Sequence, residues 1–184
     1  MFLNFSAGDK GYCRLPKEFL PKSLSDRWRK ILEVSPGYPI KSPVDLVNWS
    51  IQSIDLPEFS YTPITQLNYE GVNKKKITSL PIEELTNKQV TITFATLDGW
   101  VNYWILQEAY KEFYKNGEEQ YLPDGIQIGL NTVNGLQIGT VQLYNVLFTQ
   151  LGSISINFTN NSIDTNSFTA TFEYNQIDFK PTYI

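Results

Sequence analysis

Two runs near the C-terminus, residues 152–159 and 166–174, alternate apolar and polar side chains almost without interruption. Ile154, Ile156 and Phe158 alternate with Ser153, Ser155, Asn157 and Thr159, and Phe168, Ala170, Phe172 and Tyr174 alternate with Thr169, Thr171 and Glu173. Successive residues of an extended strand point to opposite faces, so each run has one apolar face and one hydroxyl or amide face. A polar turn over 160–165 makes them an antiparallel pair, one side buried and the other in water. The wet side holds no His or Cys and a single charge, Glu173. Such a surface suits a structural wall and offers nothing to a reaction centre.

The rest of the chain narrows the chemistry further. Its 184 residues suffice for one domain, burying roughly 70% of the surface an unfolded chain exposes. There is no histidine and one cysteine, Cys13. Imidazole catalysis, internal disulfides and cysteine metal clusters are therefore excluded, and neither cofactor nor metal is expected. Glu83–Glu84 and Glu118–Glu119 sit in polar connections and read as solvated surface. Gly125, Gly129, Gly135 and Gly139 are scattered among strand-like residues, without the strand-to-helix context of a phosphate loop. No apolar run is long enough to span a membrane, and the N-terminus lacks a basic region followed by an apolar core. Membrane insertion and secretion are therefore not expected, and the chain is expected not to be an enzyme.

Charge divides unevenly. Residues 1–48 hold eight Lys and Arg against five Asp and Glu, while residues 49–184 hold seven against fourteen. A nucleic-acid reader concentrates basic charge on its folded domain; here the larger part is acidic.

Along the chain, residues 1–22 carry single hydrophobics between Gly and Pro and read as an extended arm. Ser23 to Asp26 resembles a capping box ahead of Trp28, Ile31, Leu32 and Val34, which predicts a helix of about three turns ending at Ser35-Pro36-Gly37. Its Arg27, Arg29 and Lys30 form either a solvated side or a docking face. The division expected is an N-terminal extension, 1–43, and a β domain, 44–184. Val47, Trp49, Ile51 and Ile54 suggest a first strand, closed at Leu56-Pro57; an extended piece over 61–69 leads to a basic loop tip at 70–76. Residues 90–95 alternate Val90, Ile92 and Phe94 with Thr91 and Thr93. Asp98 is placed to cap one long helix running to Lys115. On it Val101, Ile105, Leu106, Ala109, Tyr110, Phe113 and Tyr114 sweep an apolar arc, while Trp100 and Trp104 fall on the polar side with Gln107 and Lys111. Two readings of those indoles stand: loops cover them or the helix is rotated, or they meet a neighbouring subunit. Ile126 to Leu130 and Leu136 to Leu143 give two more strands, with a bulge expected at Gly139-Thr140 and a loop to Leu151. The total is six or seven strands.

In this order the elements resemble the tail tube proteins of contractile-tailed bacteriophages, relatives of the inner tubes of type VI secretion and other injection machines. The resemblance rests on a strand ending in Leu56-Pro57, a basic loop, the Thr-rich strand 89–95, an aromatic helix, the segment 138–151 and the final Gly-Ser-Ile-Ser-Ile … Ser-Phe-Thr-Ala-Thr-Phe-Glu-Tyr cadence. It implies a mainly β fold, a tail-tube-like β-barrel or sandwich of antiparallel strands with one long flanking helix and an N-terminal extension. It further implies hexameric rings stacked into a hollow tube, sheath and baseplate partners, DNA passing through without specific binding, and a place in the virion tail after synthesis in the host cytoplasm. The final strand, 166–174, carries no Lys or Pro and so has an edge free to pair with a neighbour. Ser153, Ser155, Asn157, Thr169, Thr171 and Glu173 are then candidate bore-lining residues, with the Thr91/Thr93 face an equal contender. Trp100, Trp104, Gln107, Lys111 and the loop lysines Lys74, Lys75 and Lys76 are candidate subunit contacts; for the lysines a solvated tip is the alternative. A baseplate or tube-initiating paralogue of the same fold, and a carbohydrate-binding β-sandwich, are the other readings.

Overall fold

The computed structural model describes residues 11–35, 37–56, 64–67, 73–76, 88–115, 122, 124–132, 134–154 and 167–182. Strand β1 (Gly11–Arg14) and a 3₁₀ turn (Lys17–Phe19) precede helices α1 (Lys22–Val34) and α2 (Pro43–Trp49). Then come β2 (Ile51–Asp55), β3 (Ile64–Leu67), β4 (Asn73–Lys76) and β5 (Gln89–Ala95). A second 3₁₀ turn (Asp98–Trp100) leads into α3 (Val101–Phe113), and β6 (Ile126–Asn131), β7 (Gln137–Tyr144), β8 (Leu147–Leu151), β9 (Ser167–Glu173) and β10 (Gln176–Pro181) complete the order.

The strands form two antiparallel four-stranded sheets, β1-β6-β7-β10 and β2-β5-β9-β8, and a separate β3-β4 pair. Neither four-stranded sheet closes into a barrel. One ribbon joins them. Tyr144 lies opposite Gln176 in the first sheet and Leu147 opposite Glu173 in the second, the same offset on both sides of the corner. β7–β8 and β9–β10 are thus one long antiparallel pair, bent at 145–146 and 174–175, which is how strands switch sheets at a corner. Asn145 takes the left-handed conformation there (φ 50°), which asparagine tolerates better than most residues.

Alternation dictates what each sheet buries. Val90, Ile92 and Phe94 of β5 and Phe168, Ala170 and Phe172 of β9 point into one core with Ile126, Ile128, Val141 and Leu143 of the first sheet. Cross-strand partners stack within it: Phe94 on Phe168 at 5.4 Å and Phe148 on Phe172 at 4.7 Å between centroids. Such pairs contribute about 0.5–1.5 kcal/mol each beyond the area they bury.

Several expectations need correction. The supposed N-terminal arm is integral to the core from Gly11 onward: β1 pairs with β6, and Cys13, Leu15, Phe19 and Leu20 are buried. These isolated hydrophobics all join the one core cluster. The boundary at 43/44 therefore falls inside a shared core. Residues 43–49 form α2, where a strand was expected. Ser42 caps it by accepting from the Asp45 amide at 3.4 Å, and Pro43 stands in the first turn, where its missing N–H costs nothing. Residues 73–76 form β4 against β3, not a loop tip. Residues 147–151 and 176–181 are strands where a loop and no element were expected. The bulge lies one residue earlier than expected, at Ile138, between the Asn131–Gln137 and Leu130–Gly139 pairs.

The helix starts also differ. α1 follows Pro21 with no side-chain cap, and Asp26 instead pairs with Arg29 at 2.9 Å. Asp98 is not the cap of α3; Gly99 (φ 63°) and Trp100 (φ 52°) are both left-handed and turn the chain into it. Fully buried Asn102 organises this entry. Its Oδ1 accepts from the Leu97 amide at 3.2 Å, and its Nδ2 donates to Ser50 Oγ at 2.9 Å and the Ala95 carbonyl at 2.7 Å. One amide thereby ties α2, β5 and α3 together.

Burial pushes the Cys13 thiol up to about 12. The thiolate is the reactive form, so the native protein is expected to resist iodoacetamide at pH 8 and to label only once unfolded in urea. Rapid labelling in native buffer would mean that β1 leaves the sheet. Because the folded thiol keeps a proton that the unfolded one loses above its ordinary value of 9.0, stability falls between about pH 9 and 12, by at most about 1.4 kcal/mol per pH unit.

Candidate assembly surface

The residues opposite the core face of the second sheet form one continuous polar surface. Asp55, Thr91, Thr171 and Gln150 lie side by side across β2, β5, β9 and β8, and Ser53, Thr93 and Thr169 form the next row. Gln89 and Glu173 make a third, joined by a 3.0 Å hydrogen bond from Gln89 Nε2. The Thr91/Thr93 face and the Thr169/Thr171/Glu173 face, separate contenders in the sequence, are therefore one surface, because β5 pairs directly with β9. None of the four strands contains a Lys or Arg. The outer face of the first sheet differs: it carries Arg14 on β1 and, on β10, Lys180, which sits 3.2 Å from Asp178.

Of the candidate wall residues, Thr169, Glu173 and Ser153 are exposed and Thr171 is half-buried; Ser155 and Asn157 lie outside the described residues. Ser53, Asp55, Gln89 and Gln150 belong to the same surface and were not singled out from sequence. Only the pairing of distant strands brings them together.

The edges of this sheet are treated differently. β9 is not an edge, as was expected, but lies between β5 and β8. β8 is an edge whose first part is closed by groups from elsewhere. Val146 exchanges both backbone bonds with Leu122, at 2.8 and 3.1 Å. The Tyr114 hydroxyl donates to the Phe148 carbonyl at 2.7 Å and the Tyr110 hydroxyl to the Thr149 carbonyl at 3.2 Å. The two rings sit 4.9 Å apart. They lie on the apolar arc of α3, and their hydroxyls do edge-capping work that periodicity does not reveal. At the opposite margin, β2 (Ile51–Asp55) contains neither Lys nor Pro, the residues that usually blunt an edge.

The helices cover the remaining side of the core. α1 is tied to α3 at Glu108, which accepts from Arg27 and from Trp28 Nε1, and the Tyr38 hydroxyl donates to the Asp98 carbonyl. Trp104 is 45% exposed and Trp49, at the end of α2, 50% exposed. Trp100 and Gln107 are half-buried and Lys111 is exposed. Trp100 is thus partly buried, and much of Trp104 stands in water. Lys74, Lys75 and Lys76 form β4 opposite Gln66, Thr65 and Ile64; their side-chain surroundings lie outside the described residues.

No family model matches the chain, and no curated protein matches it. Among solved structures, it is similar in fold to a chain of the PVC sheath–tube complex of an extracellular contractile injection system in the extended state, at 16% identity, with 72% of this chain and 81% of that one covered and a TM-score of 0.49. It is also similar to a chain of the tube-terminating cap of the anti-feeding prophage (14% identity, 72% and 80% covered, TM-score 0.48). An Hcp protein is more distant (12% identity, 72% and 69% covered, TM-score 0.40).

Proposed function

We propose that this chain is a non-enzymatic structural subunit of a contractile injection tube, of the phage tail kind. Copies join through the second sheet, the open margin of β2 on one meeting the open part of β8 on the next. Six such contacts close a ring, and rings stack into a tube inside a sheath and above a baseplate. Heterologous contacts that close by rotation give rings. The observation that carries this reading is the four-strand face of Ser, Thr, Gln, Asp and Glu without one cation, on a sheet whose outer strands, β2 and β8, pair on one side only among the described residues. Turned inward, that face makes a hydrated, neutral-to-acidic bore. DNA phosphates gain affinity by displacing counterions from Lys and Arg; a wall without them lets the polyanion pass without being held.

α3 packs over the start of β8, so its exposed stripe lies beside the incoming neighbour. Trp104 supplies the large apolar anchor there, with Lys111 at the rim. Negative-stain microscopy of the concentrated protein tests the reading: rings or tubes are expected, and a monomer at every concentration would overturn it. Trp104→Lys is expected to abolish those particles while changing urea stability by less than about 0.5 kcal/mol, as for an exposed position. Unfolding of this variant would instead assign the indole to the subunit's own core.

A further inference from the structure

A bulge at Thr149 interrupts the β8–β9 ladder and turns two successive carbonyls outward; past it, bonding alternates in direction through Leu151 and the two residues that follow β8. Gly152 N–H bonds toward β9, to the Thr169 carbonyl at 2.7 Å. The amide groups of Leu151 and Ser153, on either side of it, therefore point away from β9. Before them, outward groups are taken: both backbone groups of Val146 by Leu122, the Phe148 carbonyl by Tyr114 and the Thr149 carbonyl by Tyr110. Among the described residues, Leu151 is thus the first on this margin whose outward carbonyl lies past those caps.

We propose that Tyr110 and Tyr114 are a register stop, which fixes where a second copy of this chain pairs with β8. The inference rests on the tube reading above and adds to it a defined docking point. β2 of the neighbour bonds to the outward amides of Leu151 and Ser153 and is kept from sliding toward the corner, because the carbonyls it would need are already taken. The stop is necessary because a strand can slide by two residues without turning its faces over, whereas a slide of one puts every side chain on the wrong side. The hydroxyl face alone excludes the odd register; the two tyrosines exclude the even one.

Hydrogen exchange of the assembled and dissociated protein reads this directly. On assembly the amides of Leu151 and Ser153 and of residues 51–55 are expected to slow at least roughly tenfold. Protection of Gly11–Arg14 and Gln176–Phe179 with Leu151 unchanged would overturn the proposal, since it would place the joint on the first sheet. Leu151→Pro removes an outward donor while leaving the Gly152–Thr169 bond, and is expected to give a subunit with native exchange in β9 that forms no rings. Normal rings from this variant would also overturn it. Tyr110→Phe with Tyr114→Phe frees both carbonyls and is expected to give particles of more than one geometry by cryo-electron microscopy; a single geometry identical to the parent's would defeat the register stop while leaving the tube reading intact. Absence of any assembly by the parent protein would defeat both.

Discussion

Phe19→Ala is expected to lower the stability of the subunit by about 3–5 kcal/mol, the usual range for deleting a fully buried aromatic ring. Phe19 has no exposed surface. Its ring meets Phe113 of α3 at 6.0 Å, Phe148 of β8 at 5.9 Å and Phe172 of β9 at 6.4 Å. There the N-terminal segment, the long helix and the second sheet all touch one side chain. A short 3₁₀ turn holds it and has few means of collapsing into the space the lost ring would leave, so the upper half of the range is expected. Against a total of about 5–15 kcal/mol for a domain, that loss places a sizeable unfolded fraction within reach at 37 °C. Urea denaturation followed by tryptophan fluorescence measures it. A loss below about 1 kcal/mol would mean that residues 11–20 do not belong to the core.

Gly125→Ala is expected to be comparably severe for a different reason. Gly125 has φ +56°, and a Cβ there would lie 1.6 Å from the Leu143 carbonyl oxygen and 2.6 Å from its carbon. A backbone group cannot swing aside as a side-chain tip can. Ile126 pairs with that same Leu143, so relief requires β6 to move off β7 at its first rung. The left-handed backbone alone costs an L-residue about 1–2 kcal/mol, and lost pairing brings the expected total to about 3 kcal/mol or more. Gly135 is the control. It too has positive φ, +77°, but nothing lies within 4 Å of its Cβ position, so Gly135→Ala should cost only the conformational part. Equal losses in the two variants, measured by thermal melts, would show that the clash at Gly125 is relieved without moving the strand.

How much was legible beforehand varies by element. β5, β9 and α3 were readable because their burial follows local periodicity: Val90, Ile92 and Phe94, then Phe168, Ala170 and Phe172, alternate without a break. α2 was misread because Val47, Trp49 and Ile51 mimic alternation, while the true signal was Ser42-Pro43 with Asp45 three residues after the cap. Lys74 to Lys76 suggested a solvated tip since charge says nothing of backbone pairing. The polar face of the second sheet was half visible: its threonines could be named, but not their union, and Ser53, Gln89 and Gln150 gave no sign of belonging to it. Tyr110 and Tyr114 were visible as an apolar arc and invisible as hydrogen-bond donors to β8.

Sequence alone determined the chemistry and the faces. With no histidine and one cysteine, and with hydroxyls alternating against aromatics, it ruled out most catalytic sites and required a sheet dry on one side and wet on the other. Only the tertiary structure decided which strands are edges, that two threonine faces are one, and that residues from Gly11 onward fill the core. The reason is range. Alternation is written between neighbours and survives in any fold, whereas the Gln89–Glu173 bond joins positions 84 residues apart. Edge status belongs to no segment by itself; it exists only once every other strand has taken its place.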